Sequence, residues 1–315
     1  MLISDHIVIT GGSGFIGKHL SVALLANGFR VTQLVRSIVP GCQYEQKQIA
    51  FDLNDRKKVQ DCIATLQPNY AIHLASSKDR INSKAGFRDS YEKNVSMSLN
   101  LIDACLNLSD FKRLVFLGSC DEYGQASSPF DESQREIPAN AYGLSKLAVT
   151  KILSGLYHSF QFPSVILRPT VIYGPGQGDE MFLPALVNSL LMGKEFAMTS
   201  GEQMRDFIYV DDVVEAIIKA LNADEHVNGK VINIGAGVAS KIKNIATLVA
   251  DSIHPDILKL IKFGAVQYRA NEVMDYSVVI ARAKELLGWY PKTSMESGIQ
   301  STIKYFKDSG CRRLS

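Results

Sequence analysis

Tyr142-Gly143-Leu144-Ser145-Lys146 puts a phenol and an ammonium four positions apart. On an α-helix that spacing stacks both side chains on one face. A cation beside the hydroxyl stabilises the phenolate and draws its pKa toward neutrality. The tyrosine can then give or take a proton while a hydride moves. Taken alone, such a pair is also what a solvated helix face looks like. Earlier in the chain, the apolar run Leu114–Leu117 ends in Gly118-Ser119-Cys120-Asp121-Glu122-Tyr123-Gly124. If that run is a strand of a doubly wound sheet, residues just past its C-terminus face the ligand crevice. Ser119 is then placed to share a substrate oxygen with Tyr142. Cys120 lies beside it, but nothing in the sequence supplies a paired histidine, and it reads as small buried filler.

A second chemical signal is the glycine loop Thr10-Gly11-Gly12-Ser13-Gly14-Phe15-Ile16-Gly17, between a β-branched run and a helix-like segment. Gly11 permits the tight turn, Gly14 lets the backbone approach a pyrophosphate, and Gly17 allows the helix to pack closely on the strand. The anion then meets N–H groups at the helix N-terminus, where Phe15 and Ile16 stand. An NAD-binding sheet ends its second strand in an acid that accepts from the ribose 2′-hydroxyl. Here Val35 occupies that place and Arg36 follows. A guanidinium there pairs with a 2′-phosphate, which predicts NADP (as NADPH) over NAD. Asp52 and Leu53, after the third strand, are candidate adenine contacts; Asp52 also reads as a helix N-cap.

These groups need a frame to hold them. Strand-like segments at 7–10, 30–35, 48–51, 70–74, 114–117 and 165–167 alternate with helix-like segments at 17–27, 55–66, 90–106 and 141–157. Such alternation pairs strands in parallel through crossover helices and predicts an α/β fold with a doubly wound parallel sheet. Beyond Arg168 the rhythm loosens: a Gly/Pro turn at 173–178, helices near 181–191, 211–221 and 241–252, and strands near 196–198, 207–210 and 231–234. Two more helices follow near 280–287 and 295–306. We expect a dinucleotide-binding domain over 1–168 and a smaller mixed α/β substrate lobe over 169–315. Helices and a strand of the second half are expected to return to the first domain.

Composition narrows the class. The 315 residues carry 34 Lys plus Arg against 32 Asp plus Glu, a formal charge of +2. That balance gives no reason to expect nucleic acid or an anionic membrane as partner. No apolar run reaches the ~18 residues of a spanning helix, and Asp5 and His6 interrupt what would have to be a signal peptide. Five scattered cysteines (Cys42, Cys62, Cys105, Cys120, Cys311) without a CxxC pair favour reduced thiols in the cytoplasm over disulfides or zinc. His73 reads as a hydrogen-bonded core residue, Asp211-Asp212 as a helix start rather than a metal pair, and Trp289 as packing.

Taken in order, TGGSGFIG (10–17), His73-Leu74-Ala75-Ser76, Asn94-Val95, GSCDEYG (118–124) and AYGLSK (141–146) resemble the extended short-chain dehydrogenase/reductases of the nucleotide-sugar epimerase, dehydratase and reductase group. So do Leu167-Arg168-Pro169, Tyr173-Gly174-Pro175-Gly176, Arg205-Asp206-Phe207-Ile208-Tyr209-Val210-Asp211-Asp212 and Leu287-Gly288-Trp289-Tyr290-Pro291. The resemblance spans almost the whole chain and implies a Rossmann domain. It implies Tyr142 as acid/base, Lys146 as holder of the nicotinamide ribose and tuner of Tyr142, and Ser119 as partner of the reacting oxygen. Leu74, Ala75, Ser76 and Asn94 would lie near the cofactor, and Pro169 and Thr170 near the nicotinamide. Arg205 and Arg269 would bracket the diphosphate of a nucleoside-diphosphate sugar. A homodimer through two helices of the first domain is usual for the group.

Three departures bear on the reaction. Dehydratases of the group carry Thr-Asp-Glu or Thr-Ser-Glu where this chain has Ser119-Cys120-Asp121, whereas Ser-Cys-Asp-Glu-Tyr-Gly resembles the Ser-Ser-Glu-Glu-Tyr-Gly of some 4-keto-6-deoxyhexose reductases. Val171 replaces the phosphate-binding asparagine of many epimerases. Arg36 points to a cofactor that is consumed rather than retained. The expectation is NADPH-dependent reduction at C4 of a nucleoside-diphosphate 4-keto-6-deoxyhexose. The alternatives are 4-epimerisation with retained NAD and a non-catalytic dinucleotide-binding protein.

Overall fold

The computed structural model describes residues 5–38, 47–77, 84–269 and 272–313. Strand β1 (His6–Thr10) is buried at all five positions, as a strand covered on both faces requires. It is followed by α1 (Phe15–Ala26), β2 (Arg30–Val35), β3 (Lys47–Ala50), α2 (Arg56–Leu66) and β4 (Tyr70–His73). Next come α3 (Lys84–Ser90), a π-helical turn (Tyr91–Ser96), α4 (Met97–Leu106), β5 (Arg113–Leu117), α5 (Ala141–Phe160) and β6 (Ser164–Pro169). The second half adds β7 (Val171–Tyr173), α6 (Phe182–Leu191), β8 (Phe196–Ala197), β9 (Met204–Tyr209), α7 (Val210–Asn222) and β10 (Val231–Ile234). It closes with β11 (Ala239–Lys241), α8 (Ile242–Ile253), β12 (Ile261–Lys262), β13 (Asp275–Tyr276), α9 (Ala281–Leu287) and α10 (Met295–Arg313).

The main sheet has seven strands in the order β10-β6-β5-β4-β1-β2-β3, and every pairing in it is parallel. The strand order reverses between β1 and β4, which opens the ligand crevice of a doubly wound sheet at their C-terminal ends. Two apolar layers cover the faces. Leu20 and Leu24 of α1 share one with Val213 and Ile217 of α7, Leu287 and Trp289. Val59 and Ile63 of α2 share the other with Leu101 of α4 and Val149 and Leu153 of α5. Strand β10 and helix α7 thus belong to the first layer although they follow residue 168. Trp289 is fully buried and its indole donates to Asp212 O at 3.0 Å.

A third core, with Tyr173, Leu186, Phe207, Ile245 and Ile299, holds the second lobe. There β9 pairs with β11, β13 and β7. Asp212, in the first turn of α7, accepts from the backbone of Lys292 and Thr293 and so ties the C-terminal segment down.

Two expectations need correction. The helix placed at 90–106 begins at Lys84 and passes through the π turn before Met97. The N-cap before α2 is Asp55, whose carboxylate accepts from Lys58 N at 3.1 Å, and not Asp52. Asp52 instead accepts from the backbone and side chain of Asn54. Cys62, Cys105 and Cys120 are free thiols; Cys42 and the side chain of Cys311 lie outside the described residues. Among the described residues no helix is long and apolar enough to cross a membrane.

Candidate active site

The candidate phosphate loop, residues 10–17, follows β1 directly. Gly11 has φ +70°, and a Cβ there would stand 2.7 Å from Ala75 N. A Cβ on Gly17 would stand 2.4 Å from Gly11 O, so only glycine lets α1 start this close to the turn. Gly14 is exposed at the N-cap of α1, which has no side-chain cap and no acid in its first turn. An uncapped helix start beside a glycine turn suits a pyrophosphate, so the cradle fits a dinucleotide. Phe15 and Ile16 open the helix and pack inward, Phe15 on the second-lobe core and Ile16 on the main one.

The other expected cofactor neighbours follow the same sheet edge. Arg36 is exposed just beyond β2, with no carboxylate at Val35 before it. Asp52 is exposed after β3, while Leu53 is buried and its carbonyl accepts from Asn100 Nδ2 at 2.9 Å. Leu74, Ala75 and Ser76 leave the end of β4 half-buried, and Leu74 N and Ala75 N both donate to Thr10. Pro169 ends β6, and Thr170 Oγ1 donates to Asp206 at 3.1 Å.

Ser119, Tyr142, Lys146 and Asn94 converge at the ends of β4 and β5. Ser119 heads a short turn at Cys120–Glu122 as a capping box: its hydroxyl accepts from Asp121 N, and its own N–H donates to Glu122 Oε1 at 2.9 Å. Asn140 caps α5 by accepting from Gly143 N at 2.8 Å. A Cβ on Gly143 would lie 2.4 Å from Asp121 O, so the start of α5 presses directly on the Ser119 turn. Tyr142 is half-buried, whereas Lys146 is buried. The Lys146 ammonium donates to Leu117 O at 2.7 Å, 5.9 Å from the Tyr142 ring centroid and 4.8 Å from that of Phe116. Asn94, in the π turn, accepts from Ser77 N at 2.7 Å and donates to Ser145 Oγ at 2.9 Å.

Several neighbours were not singled out in the sequence. Glu122 is buried against Arg168 at 2.7 Å, and Arg168 also meets Glu136 at 2.9 Å. The S-x-x-E spacing of Ser119 and Glu122 was the signal for that cap. Tyr276 reaches across from β13 to donate to Asp121 Oδ1 at 2.9 Å. Arg205 sits 5.7 Å from the Tyr276 ring and pairs with Glu272. Arg269 is exposed. Cys120 is fully buried, its thiol donating to Arg168 O and pushed well above its ordinary pKa by burial.

A glycine-cradled helix start at the strand-order reversal and a tyrosine–lysine pair beside a serine turn define a dinucleotide-binding protein of the short-chain dehydrogenase/reductase type. Residues 7–235 match the profile of the NAD dependent epimerase/dehydratase family, and the chain belongs to that family. It is 26% identical over 309 residues to the CDP-abequose synthase of Salmonella typhimurium, covering 96% of this chain and 98% of that one. It is likewise 26% identical to the UDP-N-acetyl-alpha-D-glucosaminuronate decarboxylase of Bacillus cytotoxicus, covering 96% and 97%. The fold superposes on the UDP-glucose 4-epimerase of Thermotoga maritima, solved with UDP-glucose, with a TM-score of 0.89 at 25% identity, covering 96% and 99%. The UDP-glucuronic acid 4-epimerase of Bacillus cereus, solved with UDP-glucuronic acid and NAD, gives 0.87 at 25%, again covering 96% and 99%.

Proposed function

We propose that this protein reduces the C4 ketone of a nucleoside-diphosphate 4-keto-6-deoxyhexose, with NADPH bound along the edge from Gly11 to Arg36. The bound nicotinamide would supply the hydride. Tyr142 protonates the alkoxide that develops at C4, and Ser119 donates a hydrogen bond to the same oxygen. Lys146 holds the nicotinamide ribose and stabilises the phenolate left on Tyr142. Arg205 and Arg269 of the second lobe grip the diphosphate, so the sugar lies between the lobes.

The observation that carries this reading is the end of β2, where Val35 stands in the acid's place and an exposed Arg36 follows. A 2′-phosphate finds a cation there, and Val35 offers no repelling carboxylate. Dehydration is disfavoured because the Cys120 thiol is buried and turned to Arg168 O, away from any acid role. Asp121 is engaged by Tyr276. The similarity to a protein named CDP-abequose synthase supports chemistry on a sugar nucleotide.

A second reading, 4-epimerisation with retained NAD, is favoured by the likeness to 4-epimerases, one of them solved with NAD. The same three side chains would serve it, with Tyr142 taking the proton first and returning it. A screen of 4-keto-6-deoxy sugar nucleotides with NADPH separates the two. Reduction predicts loss of absorbance at 340 nm, about one NADPH per ketone. Protein that purifies with bound dinucleotide and interconverts sugar nucleotides without any added would overturn the reductase reading.

A further inference from the structure

His73 ends β4 behind the phosphate loop, fully buried, with a hydrogen-bond partner on each ring nitrogen. The directions of those bonds can be deduced. Ser98 Oγ spends its only proton on Asn94 O at 2.5 Å, so it must accept from His73 Nε2 at 2.8 Å. In a neutral ring Nδ1 then carries no proton and accepts from Thr10 Oγ1 at 2.6 Å. Thr10 Oγ1 in turn accepts from Ala75 N. On the far side, Asn94 Nδ2 donates to Ser145 Oγ, whose proton goes to Tyr142 O at 2.8 Å. Every hydroxyl proton on this path is used once, and one direction of bonding satisfies them all.

We propose that His73, as its neutral Nε2–H tautomer, is a positioning residue that locks the phosphate loop at Thr10 to the π turn at Asn94, and through Ser145 to the helix of Tyr142. Burial and a neighbouring cation hold the ring neutral. Burial lowers its pKa to about 3, with Lys146 adding to the effect. The ring also stacks on Phe116, at 5.8 Å between centroids, and the Lys146 ammonium lies over that same Phe116 ring. A π turn allows the connection, since the wider turn re-aims Asn94 across to α5 while its carbonyl meets Ser98. The strut would set the spacing between the cofactor's phosphates and its nicotinamide end, where Tyr142 acts. It depends on the dinucleotide site and on Tyr142 as acid/base, but not on which sugar is reduced.

The test needs no sugar. NADP+ and NAD+ are titrated calorimetrically into wild-type protein and into Thr10→Val, Ser98→Ala, the double variant and His73→Gln, with melting temperatures recorded for each. Ser98→Ala, remote from the phosphate loop, is expected to weaken dinucleotide binding roughly three- to ten-fold, the worth of one hydrogen bond. The double variant is expected to lose little more than the worse single one. Imidazole 15N spectra at pH 7 are expected to show a neutral His73 protonated on Nε2. A Ser98→Ala protein with unchanged dinucleotide affinity but a lowered melting temperature would reduce His73 to a packing role and overturn the proposal. So would an Nδ1–H or doubly protonated ring. Neither outcome bears on the keto-sugar screen, whose failure would leave these readouts standing.

Discussion

At the scale of single residues, the phenol of Tyr142 is asked to move one proton. General acid–base catalysis contributes typically 10²–10⁴-fold, so Tyr142→Phe should lower kcat by roughly that factor. Dinucleotide affinity should change only a few-fold, as calorimetry would show. Arg36 is asked for something different, since it touches no reacting atom. Its removal in Arg36→Ala should cost NADPH affinity roughly 10- to 100-fold, the worth of a charge-assisted hydrogen bond. NADH affinity should stay as it was, so the ratio of kcat/KM for the two cofactors would fall. A variant that leaves this ratio unchanged would mean the guanidinium is simply solvated.

At the scale of elements, the Ser119 turn, β6 and α5 are joined by charge. Arg168 and Glu122 are fully buried partners, and Glu136 carries the pairing outward to Lys151 at 2.9 Å. Removing one member of a buried pair leaves the other uncompensated, at a cost of about 3–5 kcal/mol, whereas exposed pairs are worth about 0–1 kcal/mol. Glu122→Ala should therefore lower the urea midpoint sharply and Lys151→Ala hardly at all. This is also where the sequence stops being legible. The parallel strands of the first half could be read from their apolar runs to within a residue or two, because burial on both faces leaves a local mark. The partners of Glu122 and Asn94 lie 46 and 51 positions away at Arg168 and Ser145, and no local pattern announces them. Strands β7, β11 and β13 are two or three residues long and exist only through β9, so their periodicity is too short to detect. The π turn leaves no composition signal, since Tyr91–Ser96 fits an α-helical pattern equally well.

At the scale of the whole molecule, two buried groups pull acid stability in opposite directions. An unfolded histidine titrates near 6.5, but burial holds His73 at about 3. Below about pH 6.5 the unfolded chain binds a proton that the folded chain refuses, and stability falls with pH by roughly 1.4 kcal/mol per unit. Burial pushes Asp206 up to about 6, against donors at Ala236 N, Thr170 Oγ1 and Gly237 N. Its contribution is complete below about pH 4 and is lost as pH rises through 6. The two slopes offset each other between pH 6 and 4, and only that of His73 continues below. Urea unfolding at pH 4, 5, 6 and 7 should show Asp206→Asn losing about 2 kcal/mol more than wild type between pH 6 and 4. The His73→Gln protein should hold or gain stability over the same interval.

Strand β10, which pairs with β6 from Val231 to Ile234, reaches the sheet late. During synthesis the outer rim of β6 has no neighbour until that segment leaves the ribosome, a delay of roughly 3–13 seconds at 5–20 residues per second. A nascent chain in that interval presents bare backbone to any passing strand. A polypeptide cut after Arg168 should keep that exposure permanently and collect in inclusion bodies, while one extended through Trp289 would restore both the rim and the apolar lid over it.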